Sequence, residues 1–429
     1  MAELKPALVS DALFAHLQGT QYRVTPGLTC SSLELSVSAA GFLPGIQGAV
    51  EGLRALESRA AEEGLAVLPI AVLQHTASYR NLQQERIIRA MYGDLYTSNL
   101  ARISGNRFAI ALEEDVHARE EQLRNVIGML SYLMPVVIAL GAASPDGRSL
   151  DARIQINRDI HSRAPFSMLN RGTTTVLTEQ AWNQAWTTLR KLGKQAIGRT
   201  TSRQDPGYHS LLKGSQNGLL VHAHSMDKLG KWGLKEINGI WNLEYGVADA
   251  NPDLQVAIGI QALIAGALLG ALHGKSYEKV HTTMGNSNAA FLSSLVAHYG
   301  LKPEEAGIPE KKARGIRRHI AAVLQYARGS LPEEARQLLT PLEELLEGRE
   351  NVAQRMKQSY AVDSPGKAVQ AMQRLYQESL AAVEQRLSQI PVALRTERTV
   401  IVKEHASENP PKRTPILYAL RELVAGLAF

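Results

Sequence analysis

The chain has 429 residues, which is enough for one large domain or two smaller ones. Its 45% hydrophobic and 21% charged residues are typical of a soluble globular protein, and its formal net charge of +6 permits an acidic partner without demanding one. The single cysteine, Cys30, excludes an internal disulfide and suits a reducing compartment. The first residues, MAELKPALVSD, lack the basic-then-apolar pattern of a signal peptide, so we expect a cytoplasmic protein.

The first part of the chain alternates segments of helix and strand length. The predicted elements are a short helix over Leu4–Leu17, a strand over Thr29–Val37, a helix over Gly45–Gly64 and a strand over Leu65–Leu73.

Arg86 and Arg89 follow these elements. They fit either an anion-binding pair or a solvated helix face with an i, i+4 partner, and the solvated face is favoured.

A strand followed by a long helix is predicted in the next stretch. The apolar run Arg107–Leu112 has strand length, and apolar residues at helical spacing then predict a helix over Glu120–Ala142. The sequence SPDG ends this helix in a turn. The extended segment that follows carries Asp151, Arg153 and Arg158.

Residues 167–231 form a basic segment rich in glycine, serine and threonine, which we interpret as an irregular surface insertion. Between Arg190 and Lys235 there are nine lysines or arginines and two acidic residues. Such a patch can attract nucleic acid or an acidic protein face, but it lacks interleaved aromatic residues, so nucleic acid is not the favoured partner. For His222 and His224 a structural role is favoured over a metal site, because no acidic or cysteine ligand lies close in sequence.

The rest of the chain is predicted to be mostly helical. The segment Val256–Leu272 contains only apolar or small residues apart from Gln261, and it is slightly short for a membrane span, so we expect a buried core helix. Residues 304–390 also have helical spacing. Beyond them we predict a strand over Arg398–Lys403 and an apolar helix over Pro415–Phe429, which must dock on the protein's own body or on a partner chain.

Several of these segments resemble the carboxylate–amine ligases of the glutamate–cysteine ligase type 2 group, which are related in fold to glutamine synthetase. The long helix ends in IALGAASP, similar to the family's ALSAASP-like end, and DARIQINR matches its DTR…SSR-like segment. The strand around Glu34 matches the family's MLELAT-like strand, and residues 85–89 match its ERYxR-like element. Residues 232–249 align without a gap with WDIRPxPxFGTxEVRxxD, and the residues retained there are Trp232, Glu244 and Asp249.

The resemblance implies an α+β protein with a glutamine-synthetase-like, mainly antiparallel sheet, helices packed on one face and a helical carboxy-terminal part. One ligase-like domain would span residues 1–390, including the basic insertion at about 167–231 and a helical part at about 304–390, and 391–429 would be an extension. The expected core elements are strands near Leu33–Val37, Leu65–Leu73, Phe108–Leu112 and Trp241–Val247 and, on one face of the sheet, helices over Glu120–Ala142 and Leu254–Leu272.

The resemblance also implies a site for ATP, a divalent metal and an acidic substrate on the concave face of that sheet. Cationic residues there would neutralise phosphate and carboxylate groups, and carboxylates would bind the metal. The implied residues are Arg153, Arg158 and Lys235 for the nucleotide, Arg86 and Arg107 for the substrate, and Glu34 and Glu244 for the metal.

Several positions that carry the family's chemistry differ in this chain. The two histidines of its GxHVHVG strand fall on Arg107 and Ala109, and the arginine two residues after Glu244 is Gly246, which has no charge to offer a phosphoryl group. The family's GVE(E/L)E strand has no counterpart before Glu34. We therefore expect Arg107 to replace the positive charge of the metal by pairing with Glu34 or Glu244 on neighbouring strands.

These losses favour a catalytically degenerate ligase homologue that acts as a structural or regulatory subunit without a cofactor. Two alternatives stay open. One is an active ATP-dependent carboxylate–amine ligase with a rebuilt or shared site, which would need ATP and Mg²⁺; the other is a binding protein for an acidic ligand or nucleic acid. The expected partner is a protein, either a second copy of the chain or an intact ligase paralogue, and we expect no membrane association.

Overall fold

The structure, a computed structural model, describes residues 17–19, 21–27, 32–39, 41–71, 78–79, 82, 85–86, 89, 94, 98, 105–106, 108–111, 116–144, 232–237, 240–284, 289–360, 365–395 and 425–428. Over these residues the protein is mostly helical, and all of their strand pairings are antiparallel. The expected α+β class is therefore confirmed.

The first sheet has three strands in the order β1 (Tyr22–Pro26), β2 (Ser32–Val37) and β6 (Ala425–Ala428). Along β2, buried residues alternate with half-buried ones, which is the pattern of a strand with one face on the core. Helix α1 (Phe42–Glu62) packs against β1 and β2. Its apolar positions recur at helical spacing and supply the other side of this core.

The second sheet has the strand order β3 (Phe108–Ala111), β5 (Ile240–Tyr245) and β4 (Trp232–Ile237). Strands β4 and β5 form a hairpin, and the sequence between them is Asn-Gly, the strongest local signal for a two-residue hairpin turn. Leu243 and Tyr245, two residues apart on β5, are both buried in the core, as expected for one face of a strand.

The other described elements are helices, and the longer ones among them pack against one long apolar helix, α3. They are α2 (Val116–Gly141), α3 (Leu254–Leu272), α4 (Glu278–Met284), α5 (Ala289–Tyr299), α6 (Glu310–Arg328), α7 (Thr340–Gly348), α8 (Val352–Tyr360), α9 (Pro365–Ser388) and α10 (Val392–Arg395), with 3-10 turns at Pro303–Ala306 and Glu333–Leu339.

Helix α3 is the centre of the helical part. The side chain of Asp253 caps its first turn by accepting the backbone N–H groups of Gln255 and Val256. By length and composition α3 could cross a membrane, and it is the one such helix among the described residues. However, 94% of its apolar window is buried inside the protein, against α2, α6, α7 and α9. This burial confirms the expected core helix.

Two expectations about the fold are wrong. Residues 65–71 form no strand, and only Pro69 makes an isolated bridge, because proline has no N–H to donate to a ladder. The described strands lie in two antiparallel sheets of three strands each, and the glutamine-synthetase-like arrangement of one larger sheet stays a prediction. The carboxy-terminal residues Ala425–Ala428 extend along the edge of β2, although a helix was expected over Pro415–Phe429. Gly426 lies in this segment, and glycine is a poor helix former.

Several other expected elements are confirmed, some lie outside the described residues, and the division into one domain over residues 1–390 and an extension over 391–429 stays a prediction. The strands near Leu33–Val37, Phe108–Leu112 and Trp241–Val247 and both long helices are confirmed to within a few residues at their ends, and the region 304–390 is helical. Helix α3 touches β3 but packs mainly on α2 and α6, so the helices enclose one another more than they cover a sheet. The segments outside the described residues are Leu4–His16, the basic insertion 167–231 and the strand expected over Arg398–Lys403.

Candidate functional site

Strand β5 brings together positions from three distant motifs of the sequence. Glu244 lies opposite Ala109 in the antiparallel register of β5 with β3, and it lies opposite Gly233 in the register with β4. Directly opposed residues on neighbouring strands share one face of the sheet. Ala109, Glu244 and Gly233 therefore form a row across the sheet, which we term the glutamate row.

A second row lies two residues away on the same face. It consists of Ala111, Asn242 and Lys235, again with the β5 residue in the middle. Between the two rows lie Ile110 and Leu243, which are buried in the hydrophobic core. The two rows therefore occupy the opposite face of the sheet, on which Ala109 is buried and Ala111 is half-buried.

The structure separates the two carboxylates that were expected to share a metal site. Glu34 lies half-buried in β2, whose strand neighbours are β1 and β6, whereas Glu244 lies in β5, between β3 and β4. The expectation that they lie on neighbouring strands is therefore wrong. For Lys235 and Glu244 the structure gives the backbone position, and Arg107, Arg153 and Arg158 lie outside the described residues. The ion pair expected for Arg107 stays a prediction.

The arginine pair near residue 90 is exposed. Arg89 pairs with Glu85 at 2.6 Å, an i, i+4 contact, and with Asp94 at 3.1 Å. Arg86 is exposed as well. The i, i+4 partner of the favoured interpretation, a solvated helix face, is therefore present at Arg89, while the substrate-binding role implied for Arg86 stays a prediction. Exposed ion pairs of this kind contribute little to stability.

Two motif positions far apart in sequence meet directly beside the second sheet. The carboxylate of Asp249 is buried and accepts hydrogen bonds from the hydroxyl of Ser144 at 2.7 Å and from the backbone N–H of Ala143 at 3.1 Å. Asp249 also bridges to Gly105, close to the start of β3. The end of α2, the start of β3 and the chain after β5 are thus fixed to one another.

Two buried asparagines complete the end of α2. Asn351 donates to the carbonyl of Ala139 at 2.8 Å, and Asn251 donates to the carbonyl of Gly141 at 3.4 Å. The last carbonyls of a helix have no partner within the helix, so side-chain amides satisfy them here. The geometry that places the glutamate row relative to α2 therefore depends on buried polar contacts as well as on apolar packing.

A second concave site lies on the helical side of the protein, between α2, α4 and the loop before α4. We term it the tyrosine cleft; it has a volume of about 370 Å³, within the range of small-molecule sites. The phenol oxygen of Tyr132 lies 2.5 Å from Nδ1 of His281, and the rings of Tyr132 and Tyr277 are 5.8 Å apart. The polar residues that line it are Asn125, Tyr132, Lys275, Tyr277, Glu278 and His281.

Glycines allow the close contacts that form this cleft. A Cβ atom on Gly128 of α2 would overlap the hydroxyl of Tyr277, and one on Gly329 would lie 2.9 Å from Nζ of Lys275. Lys275 donates to the hydroxyl of Ser330 at 3.0 Å and to a backbone carbonyl at the end of α6. The loop before α4 is therefore held against both α2 and α6.

His319 lies buried behind the cleft and links α6 to α2. Its Nε2 donates to the backbone carbonyl of Tyr132 at 3.1 Å, and its Nδ1 lies 3.1 Å from the hydroxyl of Thr283. Burial lowers the pKa of His319 below its usual value of 6.5, since the charged imidazolium would lose its hydration.

This lowered pKa predicts a pH-dependent stability. As pH falls below 6.5, His319 becomes protonated in the unfolded chain but stays neutral in the folded chain. The free energy of unfolding therefore decreases as pH falls. Above pH 6.5 His319 is neutral in both states, and it causes no loss of stability. Thermal unfolding between pH values of about 5 and about 8 should show this dependence. It should be weaker in His319→Gln, whose amide can keep both hydrogen bonds without titrating.

No cluster of three or more potential metal-ligating histidine, cysteine, aspartate or glutamate side chains occurs within the described part of the chain. Comparison with protein-family models gave no match, and comparison with curated proteins gave none either.

Two features of these sites had no counterpart in the sequence interpretation. Strand β4 was not predicted, although the Asn-Gly pair before β5 could have revealed the hairpin. The tyrosine cleft was missed because its residues come from α2, the loop before α4 and α4 itself. The available signal was the polar sequence GKSYEKVH, which directly follows the apolar helix α3.

Proposed function

We propose that this chain is a catalytically degenerate relative of the carboxylate–amine ligases of the glutamate–cysteine ligase type 2 group, with a glutamine-synthetase-like sheet. In this proposal it acts as a cytoplasmic structural or regulatory subunit. The support comes from the motif resemblance together with the strand register and the contacts beside the second sheet.

The glutamate row carries the proposal. The aligned family motifs have a histidine, a glutamate and an aspartate at the three positions that this register places side by side. This chain has Ala109, Glu244 and Gly233 there, so one of the three can offer an oxygen or nitrogen ligand from its side chain. Mg²⁺ in phosphoryl-transfer sites needs an octahedral set of oxygen ligands and nearby cations on the phosphates, which this row does not supply.

The contact between Ser144 and Asp249 supports the alignment independently of the altered positions. Both residues belong to segments that match the family, and they are 105 residues apart in sequence. If the two segments resembled the family only by chance, there would be no reason for Ser144 and Asp249 to be hydrogen bonded in the fold. A degenerate homologue is expected to keep the residues that hold the fold together and to lose residues that carry out the chemistry.

A subunit of this kind needs a protein partner, which we propose is an intact ligase paralogue or a second copy of the chain. The test compares ADP formation by the purified full-length chain with ADP formation by the complex that co-purifies with it. We expect no ADP formation by the chain alone. For the complex, we expect the ligase rate to change when the chain is removed and to return when the chain is added back. Turnover by the chain alone that is lost in Glu244→Gln would contradict the proposal and favour an active ligase.

A further inference from the structure

The tyrosine cleft presents several hydrogen-bond donors that its own residues do not use. The ammonium group of Lys275 has three N–H groups. Two of them donate to the hydroxyl of Ser330 and the carbonyl of Tyr326, so one N–H remains to donate to a ligand. The phenol of Tyr132 lies 2.5 Å from Nδ1 of His281, and in the tautomer in which Nδ1 accepts from this phenol, Nε2 carries an N–H that can donate to a ligand. Both side chains are exposed to solvent at the cleft.

Lys275 has a second cation, Arg336, within electrostatic reach. Burial lowers the pKa of Lys275, and repulsion by the positive charge of Arg336 lowers it further. Within the described residues neither cation forms an ion pair with a carboxylate. An anion bound at Lys275 would relieve this repulsion. Glu278, at the start of α4, is the one carboxylate among the described residues that line the cleft.

The walls of the cleft suit a flat ligand. Tyr132 and Tyr277 are both half-buried, and their rings are tilted at 51° to each other. The two rings therefore pack on each other and together form an apolar surface of the cleft against which a planar group can lie. Because Gly128 lets Tyr277 lie directly on α2, the width of the cleft is fixed by the backbone.

We propose that the tyrosine cleft binds a small organic anion with a planar apolar body. Its carboxylate or phosphate oxygens would accept from Nζ of Lys275 and Nε2 of His281, while its planar part contacts Tyr132 and Tyr277. This site is separate from the glutamate row, and the proposal does not depend on the ligase-like function.

The test uses ligand-observed NMR and calorimetry on the full-length chain with four probes at millimolar concentrations. Benzoate and phenyl phosphate combine a ring with an anionic group, benzamide keeps the ring without the charge, and acetate keeps the charge without the ring. We expect the two aromatic anions to bind and the two controls to bind at least about tenfold more weakly, since a charge-assisted hydrogen bond is lost in one case and ring contact in the other. The preferred aromatic anion distinguishes a carboxylate ligand from a phosphate ligand.

Three variants locate the site. Lys275→Gln should weaken binding of the preferred anion by about tenfold or more, whereas Glu278→Gln should strengthen it by removing a like charge. Gly128→Ala should weaken it by displacing Tyr277, and Gly315→Ala is the matched control, because a Cβ there would meet no atom within 4 Å. Failure of both aromatic anions to bind, equal binding of benzamide and benzoate, or unchanged affinity in a folded Lys275→Gln variant would overturn the proposal.

Discussion

Replacing Gly266 by alanine is expected to lower the free energy of unfolding by about 2 kcal/mol or more, as overpacking of a rigid core does. Gly266 lies in the buried helix α3, where a Cβ atom would be 2.5 Å from the carbonyl oxygen of Ala327 and 2.9 Å from Cγ of Leu331. The first of these atoms belongs to the backbone of α6, so relief requires α3 and α6 to move apart. This cost exceeds the gain of about 1 kcal/mol in helix propensity that alanine brings.

The matched control is Gly315→Ala on α6. A Cβ at this position would meet no atom within 4 Å, so the propensity gain remains and the variant should be more stable by about 0.5–1 kcal/mol. Urea unfolding of the two variants and the parent measures both effects. A Gly266→Ala variant that is as stable as the parent would show that α3 and α6 are not packed this closely.

Removing the carboxylate of Asp249 is expected to cost about 3 kcal/mol of stability. In Asp249→Ala the hydroxyl of Ser144 and the backbone N–H of Ala143 would both lose their acceptor while remaining buried. Each buried donor without a partner is destabilising because it has given up its hydrogen bonds to water.

Two further variants separate the hydrogen bonds from the volume of the side chain. Asp249→Asn keeps an oxygen that can accept from both donors and should lose much less stability than Asp249→Ala. Ser144→Ala removes one donor and leaves the carboxylate its bond from Ala143, so a loss of about 1 kcal/mol is expected. Equal losses in Asp249→Ala and Asp249→Asn would mean that these two bonds do not stabilise the fold.

Segments with a strong local signal were predicted well from the sequence. Helix α3 was placed at Leu254–Leu272 because a run of helix length that is apolar or small apart from Gln261 leaves few alternatives. Strand β2 followed from its alternating residues, with Glu34 at the centre. The segment after α1 was misassigned, since its apolar composition matched a strand while Pro69 prevented the ladder.

The arrangement of the candidate sites could not be predicted in the same way. Which strands lie side by side depends on pairing between distant segments, so the sequence placed Glu34 and Glu244 together although they belong to different sheets. The alignment did place Ala109, Glu244 and Gly233 in related motifs, and the register then put them in one row. The tyrosine cleft depends on contacts between Gly128 and a loop far along the chain, which no local pattern reveals.

The most direct test of the degenerate-site proposal is a calorimetric titration of the isolated full-length chain with magnesium–ATP. The account predicts no saturable binding in the micromolar range, because the glutamate row keeps one potential ligand of three and Gly246 stands where the family has an arginine. The matched control is the Glu34→Ala, Glu244→Ala double variant, which should give the same titration curve as the parent. Micromolar affinity in the parent that disappears in the double variant would contradict the account.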